Sequence, residues 1–368
     1  MNLRRVLRIL GLVLYALAGA QLVPLVWCFL PVDGVSIRGF LAGSGLSALL
    51  GLTFQLVGHN EGELYRREGV LTVVGAWLLA SLAGAVPYVA SGAIASPVDA
   101  FFESVSGFTT TGASILLEIE ALPRPILFWR SLTQWLGGIG IVVLFVALLS
   151  ELGPGARFLV KLEMPGPKAE IMHARVRHTA LALFRIYLAL SAAQVLLMLL
   201  LGASVYDALV YTFSTMSTGG FAPYSESASH FPVANQLVIL VFMIVAGGNF
   251  SLYYALAARR NWGVLRDAEL RTYLGMIAAA SVLVASDVLA YDAAADVGRT
   301  AVDAVFQVTS ILTTTGFATA DFADWPDVSR AVLVAVMVGG GCAGSTAGGT
   351  KVIRLLIGWK AAMREVRL

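Results

Sequence analysis

The chain has 368 residues, 58% of them hydrophobic and only 13% charged, with a mean hydropathy of +0.80. A soluble domain carries about 25% charged residues, so a chain this apolar lacks the polar surface to fold in water and falls in the membrane class. The formal net charge of +2 says little about partners, and the two distant cysteines, Cys28 and Cys342, exclude a disulfide framework and a zinc-ligand spacing.

Arg4, Arg5 and Arg8 precede an apolar run that continues to about residue 30 with no small-residue cleavage site. It reads as a retained first helix rather than a signal peptide. A bilayer-spanning helix needs about 20 mostly apolar residues. Further runs of that kind lie at 36–57, 69–91, 126–150, 179–203, 233–257 and 272–291, and a broken one covers 329–359. Shorter apolar stretches at 99–108, 207–216 and 303–312 are too short to cross and read as re-entrant helices. The linkers 58–68, 151–178 and 258–271 are rich in Arg and Lys, whereas the opposite set carries mostly acids, among them Glu118, Glu226, Asp296 and Asp324. An excess of Lys and Arg marks cytoplasmic loops. The N-terminus is therefore expected inside, and all three short segments enter from outside.

Those short segments align without gaps at 99–112, 207–220 and 303–316. Each opens with Asp-Ala, carries a serine seven residues on (Ser106, Ser214, Ser310), and reaches a glycine thirteen residues on (Gly112, Gly220, Gly316). The leading aspartates, Asp99, Asp207 and Asp303, are expected to cap the re-entrant helices. Each helix then aims its negative C-terminal end into the membrane, where a cation gains from it. The stretches that follow, Thr110-Thr111-Gly112, Thr218-Gly219-Gly220 and Thr314-Thr315-Gly316, tolerate an extended backbone whose carbonyls can replace a cation's hydration shell. No ionisable residue lies in these stretches, which favours carbonyl over carboxylate coordination. Irregular backbone at membrane depth needs a protein interior or a water-filled path, so three copies imply one shared pore. Packing glycines alone do not predict three copies in one register on one side.

A second unusual segment is Gly339-Gly340-Gly341-Cys342-Ala343-Gly344-Ser345-Thr346-Ala347-Gly348-Gly349, in which six glycines fall within eleven residues. Such a density breaks a helix, and its place after the third filter suits a gate across the pore. A straight helix packed through Gly340, Gly344 and Gly348 is the competing reading. A P-loop is a poor one, because Thr350 separates the glycines from Lys351 and no strand precedes them. His173 and His178 read as loop residues. Arg130 either faces the pore mouth or anchors at the interface. Asp287 lies within a span, where an acid is a functional candidate. No nucleophile–base pairing survives this topology, so an enzyme is not expected.

Several stretches resemble the Trk/Ktr/HKT superfamily of potassium transporters, and in particular the bacterial Trk potassium-uptake membrane subunits. They are Thr109-Thr-Thr-Gly-Ala-Ser, Trp129-Arg-Ser-Leu-Thr-Gln-Trp-Leu-Gly-Gly-Ile-Gly, Ser217-Thr-Gly-Gly-Phe-Ala, Thr313-Thr-Thr-Gly-Phe-Ala-Thr and Gly340-Gly-Cys-Ala-Gly-Ser-Thr-Ala-Gly-Gly-Thr-Lys. The resemblance implies an all-α integral membrane fold of repeated helix–pore-helix–helix units, potassium-channel-like, around a central pore with two extra N-terminal helices. It implies potassium bound at the filter carbonyls, the 339–349 segment as the gating loop, and no covalent cofactor. Further implications are a homodimer in a bacterial inner membrane, contacts with lipid but not nucleic acid, and a cytoplasmic nucleotide-binding regulatory subunit of the TrkA type. In plant relatives serine at the first filter position accompanies sodium preference; Gly112 therefore argues for potassium. The organisation expected is a two-helix extension at 1–60 and repeats at 61–160, 161–265 and 266–368. The family's fourth repeat is missing before Leu368, so a fragment of a longer protein is expected. Two other readings stay open at this point: a non-conducting truncated fragment, and an ion-coupled secondary transporter, which predicts inverted repeats.

Overall fold

Polar residues set where several of the helices start. Asn2 accepts from Arg5 N at the head of α1 (Leu3–Ala20), and Asp33 accepts from Val35 N and Ser36 N at the head of α2 (Gly34–Val57). The structure, a computed structural model, describes residues 2–29, 33–59, 66–138, 140, 176–259, 262–292 and 294–366. His173 and most of the basic linker expected at 151–178 lie outside the described residues. The chain divides into two compact units, Met1–Arg185 and Ile186–Leu368.

In the first unit α1, α2 and α3 (Arg66–Ala90) pack on one another, and α3 packs against the short α4 (Pro97–Phe108), which is followed by α5 (Arg124–Gly138). Apolar surfaces gain nothing by meeting each other in lipid, so side-chain hydrogen bonds and small residues join the helices. Ser44 Oγ donates to Ala18 O (2.9 Å), Gln21 Nε2 to Ala83 O (2.9 Å) and Gln55 Nε2 to Arg8 O (2.7 Å). Leu41, Leu49, Leu52 and Leu56 of α2 stay exposed, as a lipid-facing surface requires. Trp129 holds α5 to α3 by donating from Nε1 to Gly84 O at 3.0 Å, and Phe108 of α4 meets its ring edge-on.

α6 (Val176–Leu200) crosses the boundary between units. The second unit continues with α7 (Val205–Met216), α8 (Val233–Ala246), α9 (Phe250–Arg259), α10 (Ala268–Tyr291), α11 (Val297–Leu312), α12 (Asp327–Met337) and α13 (Val352–Glu365). One buried cluster gathers Tyr211, Phe231, Ile239, Met243, Phe306 and Phe317; another gathers Tyr273, Ile277, Val284, Val308, Leu333 and Cys342. Among the described residues, five helices are long and apolar enough to span a bilayer, or six if the α8–α9 pair is one span.

Two expectations need correction. The span expected at 233–257 is not straight: α8 and α9 meet at 93° across Gly247-Gly248-Asn249. The aspartates expected as caps sit inside their helices. Ser96, Ser204 and Asp296 are the N-caps, with Ser96 and Ser204 accepting from Asp99 N and Asp207 N. Asp303 lies deeper, because α11 begins about one turn earlier than its counterparts, and it pairs instead with Arg299 at 2.8 Å.

Candidate functional site

The three candidate filter segments follow one backbone path. The helix-ending residues Thr109, Ser217 and Thr313 have φ of −79°, −81° and −79°. Thr110, Thr218 and Thr314 come next at +55°, +53° and +57°, and Gly112, Gly220 and Gly316 lie at +76°, +77° and +86°. Positive φ at a β-branched residue is an outlier. Each helix closes on two bonds: Thr111, Gly219 and Thr315 donate from N to the Ser106, Ser214 and Ser310 carbonyls at 2.9, 2.9 and 2.8 Å. Thr110, Thr218 and Thr314 donate to the Gly107, Thr215 and Ile311 carbonyls at 3.0 Å each. This is the Schellman ending, whose left-handed position ordinarily takes glycine. Threonine there costs strain of about 1–3 kcal/mol but supplies a hydroxyl at the filter's inner end.

The residues around the filter explain the rest of the repeat. Ser106 Oγ donates to Ala113 O (2.5 Å) and Ser310 Oγ to Phe317 O (2.6 Å), tying the exit of the filter back to its pore helix. Ser214 departs from this, with a buried hydroxyl that has no partner. Four residues after each leading aspartate stand Glu103, Tyr211 and Gln307, and each holds the outgoing loop. Glu103 accepts from Ser114 Oγ (3.0 Å) and Ile115 N (3.2 Å), Tyr211 OH donates to Ser227 O (2.6 Å), and Gln307 Nε2 donates to Ala320 O (2.9 Å). Arg130 is neither mouth residue nor interface anchor. It pairs with Glu103 at 2.8 Å with side chains 2% and 0% exposed, and donates also to Ser114 Oγ.

Within the second unit the second and third segments touch. A Cβ at Gly220 would overlap the Thr315 carbonyl oxygen and fall 2.9 Å from its carbonyl carbon. Ala228 N donates to Ala318 O (3.0 Å), and Ala318 N to Ser227 Oγ (3.1 Å).

The 339–349 segment is non-helical, as expected, and separates α12 from α13. Its neck is closed by backbone on backbone: Gly340 and Gly349, at φ +74° and +77°, leave no room for a Cβ on either. The loop reaches both filter segments. Thr346 Oγ1 donates to Met216 O (3.1 Å), two residues before the second candidate filter segment begins, and Gly348 N donates to Thr314 Oγ1 (2.7 Å) in the third.

The bend between α8 and α9 holds the other side of the loop. A helix end leaves carbonyls without partners, and at membrane depth they must find some inside the protein. Ile244 O and Val245 O accept from the hydroxyls of Tyr273 (3.1 Å) and Tyr253 (2.8 Å). Ala246 O accepts from Thr346 Oγ1 (3.1 Å), and Gly247 O from Cys342 N (2.8 Å). The glycine pair at 247–248 was the available signal for this bend. Asp287, the acid within a span, proves to be a cap: its Oδ2 accepts from Ser329 N (2.8 Å) and Ser329 Oγ (2.7 Å) at the head of α12.

Residues 40–367 match the family model described as TrkH, cation transport protein. The chain belongs to the TrkH family. It is 38% identical over 371 residues to the Trk system potassium uptake protein TrkH of Halomonas elongata, covering 100% of this chain and 77% of that protein. Its identity to the protein of the same name from Escherichia coli is 37% over 376 residues, with the same coverage. The crystal structure of the potassium transporter TrkH from Vibrio parahaemolyticus superposes with a TM-score of 0.86 at 34% identity, covering 100% of this chain and 76% of that one. This TrkH-family chain thus has an all-α, multi-span membrane fold and is a transport protein rather than an enzyme.

Proposed function

We infer that the protein translocates potassium across a bacterial inner membrane, through a carbonyl-lined filter that the 339–349 loop gates. The observation that carries this reading is the single backbone path shared by Thr110–Gly112, Thr218–Gly220 and Thr314–Gly316. Rings of backbone carbonyls select potassium by replacing its hydration shell, and each of these segments has the backbone form of one wall of such a ring. The relatives' names, potassium uptake protein and potassium transporter, support the choice of ion. The gate reading draws on the loop's hydrogen bonds to Met216 and Thr314.

The organisation that goes with this reading is an N-terminal pair of helices at 1–60 and helix–pore–helix repeats at 61–160, 161–265 and 266–368. The N-terminus is cytoplasmic, by the placement of Arg and Lys in the linkers. The protein works as a homodimer with a TrkA-type nucleotide-binding subunit on its cytoplasmic face, by analogy with the Trk systems its relatives are named for.

Rubidium uptake, with the protein expressed from its own gene in cells lacking potassium uptake, tests the proposal. Transport should occur, and Gly112→Ser, Gly220→Ser and Gly316→Ser should weaken discrimination against sodium. Deleting residues 343–348 should raise basal flux. Absence of any alkali-cation transport, together with silent glycine changes, would overturn the filter; unchanged flux after the deletion would overturn the gate alone.

A further inference from the structure

One carboxylate in the second unit is buried against the backbone of the loop. Glu269, 7% exposed, stands in the first turn of α10, just after that helix's own cap, Asp267. Its Oε1 accepts from Ala343 N in the loop at 2.6 Å and from Ile353 N in α13 at 3.2 Å. A single oxygen therefore ties the first half of the loop to the helix that follows it.

α13 depends on this arrangement. A helix opens with free N–H groups, usually met by Ser, Thr, Asp or Asn at the N-cap. Here the N-cap is Lys351, which makes no side-chain cap. Its ammonium turns back to the Ala347 carbonyl inside the loop. The first donor of α13, Val352 N, goes to Gly341 O (3.1 Å), and the second goes to Glu269. The first partner belongs to the loop, and the second holds the loop through Ala343. Glu269 is the cap that lysine cannot be, supplied from another helix, with its negative charge at the positive end of α13. Asp287 caps α12 from the same α10 but touches no loop residue, so the two carboxylates separate plain capping from loop retention.

We propose that Glu269 is the latch of the gate: a positioning residue that holds the loop against the second and third filter segments and must release Ala343 and Ile353 before the loop can leave. The proposal rests on the loop being the gate. Because one oxygen serves both donors, a displacement of α13 loosens the hold on the loop directly. α13 carries exposed Arg354 and Lys360, so force applied to it reaches the filter through Glu269.

Cys342, 0% exposed in the loop, reports on release. With Cys28→Ser, and any cysteine the gene encodes outside these 368 residues also changed to Ser, its labelling by a methanethiosulfonate reagent is followed in membranes beside rubidium flux. Losing two hydrogen bonds to a charged acceptor should speed Cys342 labelling at least about ten-fold in Glu269→Ala. Glu269→Gln keeps an acceptor of the same shape and should fall between. Rubidium flux should rise in the same order, with sodium discrimination unchanged. Asp287→Asn should lower the amount of inserted protein without speeding labelling. If Glu269→Ala fails to insert, Glu269→Gln decides by the same readout. Labelling as slow as in the parent for the inserted Glu269 variants would overturn the latch, even where loop deletion raises flux. Faster labelling with unchanged flux would uphold the latch and count against the gate.

Discussion

Replacing Gly220 by alanine and replacing Gly316 by alanine should have unequal consequences, although the repeat treats the two positions alike. Both residues have a left-handed φ, +77° and +86°, and alanine pays about 1–2 kcal/mol in that conformation. Around Gly316 nothing lies within 4 Å of an added Cβ, so strain is the whole cost. At Gly220 the added carbon overlaps the Thr315 carbonyl oxygen and sits 2.9 Å from its carbon and 3.4 Å from Gly316 Cα. Ordinary carbon contacts are about 3.5–4.0 Å, so clearing the carbonyl oxygen as well requires the segments to part by more than about 1 Å, and overpacking of this sort adds about 1–3 kcal/mol. The displaced group is itself a filter carbonyl. Initial rubidium uptake, normalised to inserted protein, should fall about ten-fold in Gly316→Ala. In Gly220→Ala it should fall by a further factor of about ten to a hundred. Equal rates in the two variants, or a faster Gly220→Ala, would refute the packing of the second segment on the third.

Arg130→Ala strands the Glu103 carboxylate at zero exposure, so thermal melting in detergent should show a loss of about 3–5 kcal/mol. The pair Arg130→Met with Glu103→Gln should recover much of it. Ser310→Ala removes the bond to Phe317 O and should cost about 1 kcal/mol. Ser214→Ala, which deletes a buried hydroxyl without a partner, should be neutral or stabilising in the same melt. Tyr273→Phe takes the hydroxyl from the Ile244 carbonyl at the α8 break, costing about 1–3 kcal/mol, whereas Tyr253→Phe should cost less, about 1 kcal/mol, because Gly248 N still donates to the Val245 carbonyl.

The candidate filters were legible because the strained backbone demands the same residues each time: a hydroxylated residue, then threonine, then glycine at the second left-handed position. The loop was legible because six glycines in eleven residues leave no helix to build. The clamps four residues after each aspartate were not. A carboxylate, a phenol and an amide do one job there, and residue identity hides a shared geometry. The break at Gly247-Gly248-Asn249 was missed because its flanks are apolar throughout, so hydropathy averages across the bend. Glu269 reads as an ordinary acid at a helix N-terminus, and only the folded chain brings it to Ala343. The aspartates read as caps were misplaced by one turn or more, since the serines before Asp99 and Asp207 do that work at lower charge.

The bend between α8 and α9 has a consequence for how the pathway opens. With the loop seated, Ala246 O and Gly247 O are satisfied by Thr346 and Cys342. When the loop moves away, both carbonyls and both of their donors are stranded at a depth where hydrocarbon offers nothing. Water alone can meet all four at once. On the reading that the loop is the gate, opening is therefore a wetting transition, in which the molecules that repay the loop's lost bonds are also the first to occupy the route below the proposed filter. A dry, open loop has no stable form, and solutes that withdraw water should hold the gate shut.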